Sequence, residues 1–132
     1  MNELSLPYHL IISLIISTLI LGIIIYKRKV LFKNGKRKLF WISLTVFFVL
    51  YLLIVGEATY TDISSKYELI KFDLNKDGFF NGDEITLEQK KAMSKVISDT
   101  GRNFSFITGL IFAGIIAFFV FVIGKVKKNL KK

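Results

Sequence analysis

The chain has 132 residues, enough for one domain, with 52% hydrophobic residues, a formal net charge of +9 and no cysteine. So apolar a composition argues against an ordinary soluble protein. The missing thiols exclude disulfide and cysteine chemistry and leave the redox compartment unread.

The apolar residues fall into three blocks, 8–26, 39–56 and 104–124, none containing Asp, Glu, Lys or Arg. Each is about long enough to cross a hydrocarbon core of ~30 Å as a helix, which takes roughly 17–25 residues. Backbone polar groups in lipid must be satisfied internally, so each block reads as a transmembrane helix. The first is read as retained rather than as a signal peptide, because no Lys or Arg precedes it and its basic cluster follows it. Tyr8, Tyr26, Trp41 and Tyr60 fall near the expected interfaces and read as aromatic anchors. His9, the single histidine, reads as interfacial, and Ser13, Ser17, Thr18, Ser43 and Thr45 can hydrogen-bond within their own helices.

Between blocks one and two, segment 27–38 carries seven Lys or Arg and no acid, and the tail 125–132 carries five and no acid. Lys/Arg excess close to membrane spans marks the cytoplasmic side. Three spans then place the N-terminus outside, the C-terminus in the cytoplasm and segment 57–103 outside. All ten acids fall on that outer side with seven bases, a net of −3 against +12 inside. The basic side is expected to attract anionic lipid headgroups, and no nucleic-acid module accompanies it. The domain plan is 1–56 for two spans and the basic loop, 57–103 for an outer segment, and 104–132 for the third span and tail.

The outer segment holds "DLNKDGFFNGDE", residues 73–84, which fits the calcium-loop pattern D-x-[DN]-x-[DN]-G-x₅-E without a gap. A hard cation takes six to eight oxygens at about 2.3–2.6 Å. Asp73, Asn75 and Asp77 offer short side-chain oxygens from alternate residues, and Gly78 allows the sharp turn. Phe79 offers its carbonyl, Asn81 ligates directly or through water, and Glu84 offers both carboxylate oxygens, which favours Ca²⁺ over the stricter Mg²⁺. The stretch resembles an EF-hand, and Phe72 and Phe80 also follow that family's habit. The resemblance covers about residues 61–100 and implies an extramembrane helix–loop–helix between spans two and three, in an all-α membrane protein.

For the entering helix, Ser65 and Glu68 make a capping-box pattern, and Ile63, Tyr67 and Ile70 are spaced for one face. After the loop, Ile85, Ala92, Val96 and Ile97 form a partial stripe. Whether that helix runs unbroken into span three stays open at Gly101 and Asn103. EF-hands usually pair, which the resemblance implies, yet only one loop is present. The apolar pair Phe79 and Phe80 therefore calls for a second copy of the chain, an unidentified membrane partner, or the protein's own outer segments.

In span three, Gly101, Ser105, Gly109, Ala113 and Ala117 recur every four residues. Such a ridge suits close packing on the chain's own helices or an oligomer seam. Glu57 and Arg102 stand at the outer boundary, where each is interfacial or the two pair. No span carries a central charge, which argues against a pore in one chain. Nothing resembles a catalytic constellation, so an enzyme is not expected. The leading expectation is a calcium-binding sensor or regulator. A calcium-stapled accessory subunit, or a membrane protein that blocks a toxin or partner, is the alternative, and an oligomeric channel or transporter component follows.

Overall fold

The computed structural model describes residues 6–33, 35 and 37–130. Glu3, Lys36, Lys131 and Lys132, which enter the charge argument, lie outside the described residues. The elements in chain order are α1 (Tyr8–Tyr26), α2 (Arg28–Leu31), α3 (Lys38–Ile70), a 3₁₀ turn (Gly82–Glu84), α4 (Leu87–Ile97), α5 (Thr100–Asn103) and α6 (Ser105–Leu130). The protein is all-α, with no strand among the described residues, and α1, α3 and α6 are each long and apolar enough to cross a membrane.

Helix α3 is the spine of the molecule. Its 33 residues make a rod about 50 Å long at ~1.5 Å per residue, well beyond a ~30 Å hydrocarbon core. Span two and the expected entering helix are therefore one uninterrupted helix, with no restart near Asp62. Nothing between Gly56 and Ile70 breaks a helix, and Gly56 alone costs only about 1 kcal/mol relative to Ala. The capping box expected at Ser65 and Glu68 does not form, because Ser65 sits inside the helix and is buried.

The unbroken register also moves the inward face. Tyr51, Val55, Ala58, Asp62, Ser65 and Leu69 are all buried, at steps of four and three that continue the membrane stripe. Tyr67, expected to face inward, is 61% exposed, and the Lys71 ammonium lies 4.9 Å from its ring centroid.

Helices α1 and α6 pack on α3. Leu10, Tyr51, Val55, Ala58 and Ala113 form the core, with Leu14, Phe47, Leu50 and Phe106 around it. Between helices in lipid the drive is close packing rather than exclusion of water. The small residues of α6 supply that closeness. Ser105, Gly109 and Ala113 are buried, and a Cβ on Gly109 would lie 3.2 Å from Ile54 Cγ2 and 3.4 Å from Tyr51 Cδ2. The ridge is thus spent on the chain's own α3 over these three positions, while Gly101 is exposed. The Tyr51 hydroxyl donates to the Phe106 carbonyl at 3.3 Å. Within the helices, Ser13, Ser43 and Thr45 donate to carbonyls four residues back, which removes their need for a partner. The His9 ring meets Phe106 edge-on at 5.4 Å.

Candidate metal-binding loop

Helix α3 ends at Ile70, and the chain turns at once into 73–84. The loop's backbone bends where the sequence permits it. Gly78 has φ +86° and Gly82 φ +54°, and Lys76 takes a left-handed φ of +61°. For a lysine that conformation costs roughly 1–2 kcal/mol, so the surrounding hydrogen bonds must hold it.

They do so through the side chains that the calcium pattern singles out. Glu84 Oε1 accepts from the backbone N–H of Leu74 at 2.8 Å and of Asn75 at 3.2 Å, and Oε2 accepts from Asn81 N–H at 3.3 Å. One carboxylate thereby ties the last loop residue to the first turn. Asp73 Oδ2 accepts from Gly78 N–H at 3.1 Å. Asn75 Oδ1 accepts from Asp77 N–H at 2.9 Å, Asp77 Oδ1 from Phe79 N–H at 2.7 Å, and the Asn75 amide donates to Asp77 Oδ2 at 2.9 Å.

The six sequence-predicted positions divide into two groups. Asp73 and Glu84 are buried, 6% and 7% exposed, at the two ends of the loop. Asn75, Asp77, Phe79 and Asn81 are exposed. Among the described residues no group of three or more His, Cys, Asp or Glu side chains stands together as a metal-holding set. Here both oxygens of Glu84, Oδ2 of Asp73 and Oδ1 of Asp77 accept from backbone N–H groups within the loop, and Asp77 Oδ2 accepts from the Asn75 side-chain amide. The donor set fits a hard cation in chemistry, being all oxygen, with two carboxylates already withdrawn from bulk water at the loop ends.

Helix α4 begins after Thr86, whose hydroxyl accepts from Gln89 N–H at 3.1 Å. The T-x-x-Q spacing of Thr86 and Gln89 is a capping-box pattern that marks this start in the sequence. Of the expected stripe, Ala92 and Val96 face inward, joined by Gln89, while Ile85 and Ile97 do not. Ala92 and Gln89 are buried, whereas Ile85 is 48% and Ile97 69% exposed. Ile85 and Ile97 instead line an open groove of about 630 Å³ with Phe79, Phe80 and Met93. Phe80 is half-buried there and Phe79 is 73% exposed, so the chain's own segments cover this pair only in part.

Two side-chain links hold α4 against α3, and neither is evident from sequence spacing. Lys95 Nζ lies 2.9 Å from Glu68 Oε2. The hydrogen bond from Lys95, then its charge, lowers the Glu68 carboxyl below its ordinary pKa. Arg102 on α5 donates to the carbonyls of Lys95 and Val96 at the end of α4, and to Ser65 Oγ on α3 at 3.4 Å. A guanidinium at a helix C-terminus satisfies carbonyls that have no intrahelical donor and complements the dipole. Arg102 therefore turns toward Ser65 and α4, and Glu57 is exposed without an ion pair to it. Helix α4 does not run into α6, because Ser98 leaves helical geometry at φ −80°, ψ 45° and α5 intervenes.

No family model matches this chain, and no curated protein or solved structure matches it.

Proposed function

We propose that the protein is an integral membrane calcium-binding regulator, with loop 73–84 as its ion site in an EF-hand-like segment. The observation that carries this reading is the placement of two buried carboxylates, Asp73 and Glu84, at the two ends of a loop turned at Gly78. Asp73, Asn75, Asp77, the Phe79 carbonyl, Asn81 and Glu84 would hold the ion. Calcium would supply a positive charge that draws the carboxylate oxygens of Asp73, Asp77 and Glu84 inward, in competition with the N–H groups they now accept from.

The continuity of α3 favours a sensor over a passive staple. The loop's entering helix is the membrane span itself, so a change at Asp73 has no swivel at Gly56 to dissipate it. On the other side, Arg102 ties the end of α4 to Ser65. The Lys/Arg excess of segments 27–38 and 125–132 supports a reading with that side in the cytoplasm and the loop outside, where calcium affinities of about 10⁻⁴–10⁻³ M are usual. No enzymatic activity is part of this reading.

The test uses the absence of native cysteine. Spin labels on Tyr60→Cys in α3 and Lys91→Cys in α4, both exposed positions, report the angle between the two helices. Calcium should shift the distance distribution, and Asp73→Ala should abolish the shift. Calcium heat without a shift would leave a structural staple, and no calcium heat at millimolar ion would remove the site.

A further inference from the structure

A second cavity lies at the opposite, basic end of the molecule. Helix α1 stops at Tyr26, the backbone breaks at Lys27 (φ −87°, ψ 10°), and the single turn α2 folds beyond it. Between these and α3 is a cleft of about 360 Å³ lined by Ile24, Ile25, Arg28, Lys29, Phe32 and Thr45. Its floor makes no polar demand, since the Thr45 hydroxyl is already bonded to the Trp41 carbonyl at 2.8 Å. Its rim carries two cations, and neither is held by an ion pair among the described residues.

We propose that this cleft binds an anionic phospholipid, its phosphate on Arg28 and Lys29 and an acyl chain along Ile24, Ile25 and Phe32. Charge complementarity selects the ligand. Segments 27–38 and 125–132 carry twelve Lys or Arg and no Asp or Glu, so no carboxylate competes for the rim. Position selects lipid over a soluble anion, because Arg28 and Lys29 follow directly on the last apolar turn of a membrane-length helix. Basic pockets beside membrane helices suit such headgroups. Another apolar cleft, about 470 Å³ between Phe40, Phe47, Ala117 and Phe121, has no charged lining residue and offers a phosphate no cation. In the basic tail, Lys128 is already bonded to the Gly35 carbonyl at 2.9 Å. This inference is independent of the calcium reading.

The single tryptophan, Trp41, lies one turn from Thr45 and is the probe. The full chain is reconstituted into phosphatidylcholine vesicles containing either brominated phosphatidylglycerol or brominated phosphatidylcholine, and quenching is titrated. The anionic lipid should quench at a lower mole fraction. Arg28→Gln with Lys29→Gln removes two cations at ~1 kcal/mol each and should reduce that preference about thirtyfold. Lys125→Gln with Lys127→Gln removes the same charge from the same end and should leave the preference largely intact. Thr45→Phe fills the cleft without changing charge and should abolish it. Equal loss in both charge variants would reduce the effect to diffuse surface attraction and overturn the site. So would a preference that survives Thr45→Phe, or one that inorganic phosphate at millimolar concentration removes. If the Arg28/Lys29 variant loses helical circular dichroism, the Thr45→Phe comparison decides alone.

Discussion

Glu84 has one task in the structure and a second on the proposed reading, and substitutions separate them. As an acceptor it satisfies the N–H groups of Leu74, Asn75 and Asn81. As a ligand it would give calcium two oxygens and a charge. Glu84→Gln keeps one acceptor oxygen and nearly the same shape. It should preserve α3 and α4 by circular dichroism while lowering calcium affinity at least tenfold in calorimetry. Glu84→Ala removes both functions, so calcium binding should be largely lost and the amides of Leu74 and Asn75 should exchange faster with solvent. Glu84→Asp withdraws the carboxylate by one methylene and should shift preference toward Mg²⁺, whose octahedral shell tolerates a single oxygen. Equal calcium heats for wild type and Glu84→Ala would sink the loop as an ion site.

Two contacts decide how the helices stay together. Gly109 lets α6 lie on Tyr51 and Ile54, so Gly109→Leu should push the helices apart and lower stability by about 1–3 kcal/mol, read as the unfolding midpoint in detergent. Gly22 in α1 has nothing within 4 Å of its Cβ position, and Gly22→Ala should be neutral or slightly stabilising. Arg102 is the other contact. Arg102→Ala leaves the last carbonyls of α4 without their guanidinium and cuts the link to Ser65. Hydrogen exchange in the last turn of α4 and protease cutting around Ser98 should both rise. Arg102→Lys should rescue little, because a single ammonium cannot reproduce a planar fork bonded to two helices. Unchanged exchange in Arg102→Ala would show that α4 docks through Ala92 and the Glu68–Lys95 pair alone.

Across the whole molecule, the described acids, Glu57 to Asp99, and the described basic residues of segments 27–38 and 125–132 lie at opposite ends of a rod. Helix α3 reaches about 20 Å past the span at ~1.5 Å per residue, and it carries α4 and the loop on that extension. The topology has a direct check in a chain free of native cysteine. A cysteine at Tyr67, exposed on the extension, should react with a membrane-impermeant maleimide on intact cells. A cysteine at Lys33 should react only after permeabilisation. The reverse pattern would put the loop in the cytosol, where a micromolar calcium sensor becomes the better reading.

The sequence alone determined the three membrane-length helices, because charge-free runs of that length have no other way to satisfy their backbone in lipid. It also marked the loop's turn at Gly78, since a left-handed φ of +86° suits glycine. The start of α4 is legible as well, in the Thr86 and Gln89 capping pattern. Tertiary structure decided what local spacing could not. Ser65 and Glu68 carry a helix-start pattern, but a helix already running through Gly56 overrode it and turned Asp62, Ser65 and Leu69 inward instead of Ile63 and Tyr67. Arg102's partners are 6, 7 and 37 residues away, and no periodicity links them. Which side of α6 its small residues served was fixed only when Tyr51 and Ile54 came to rest on Gly109, because a four-residue repeat names a face of a helix but not the helix that covers it.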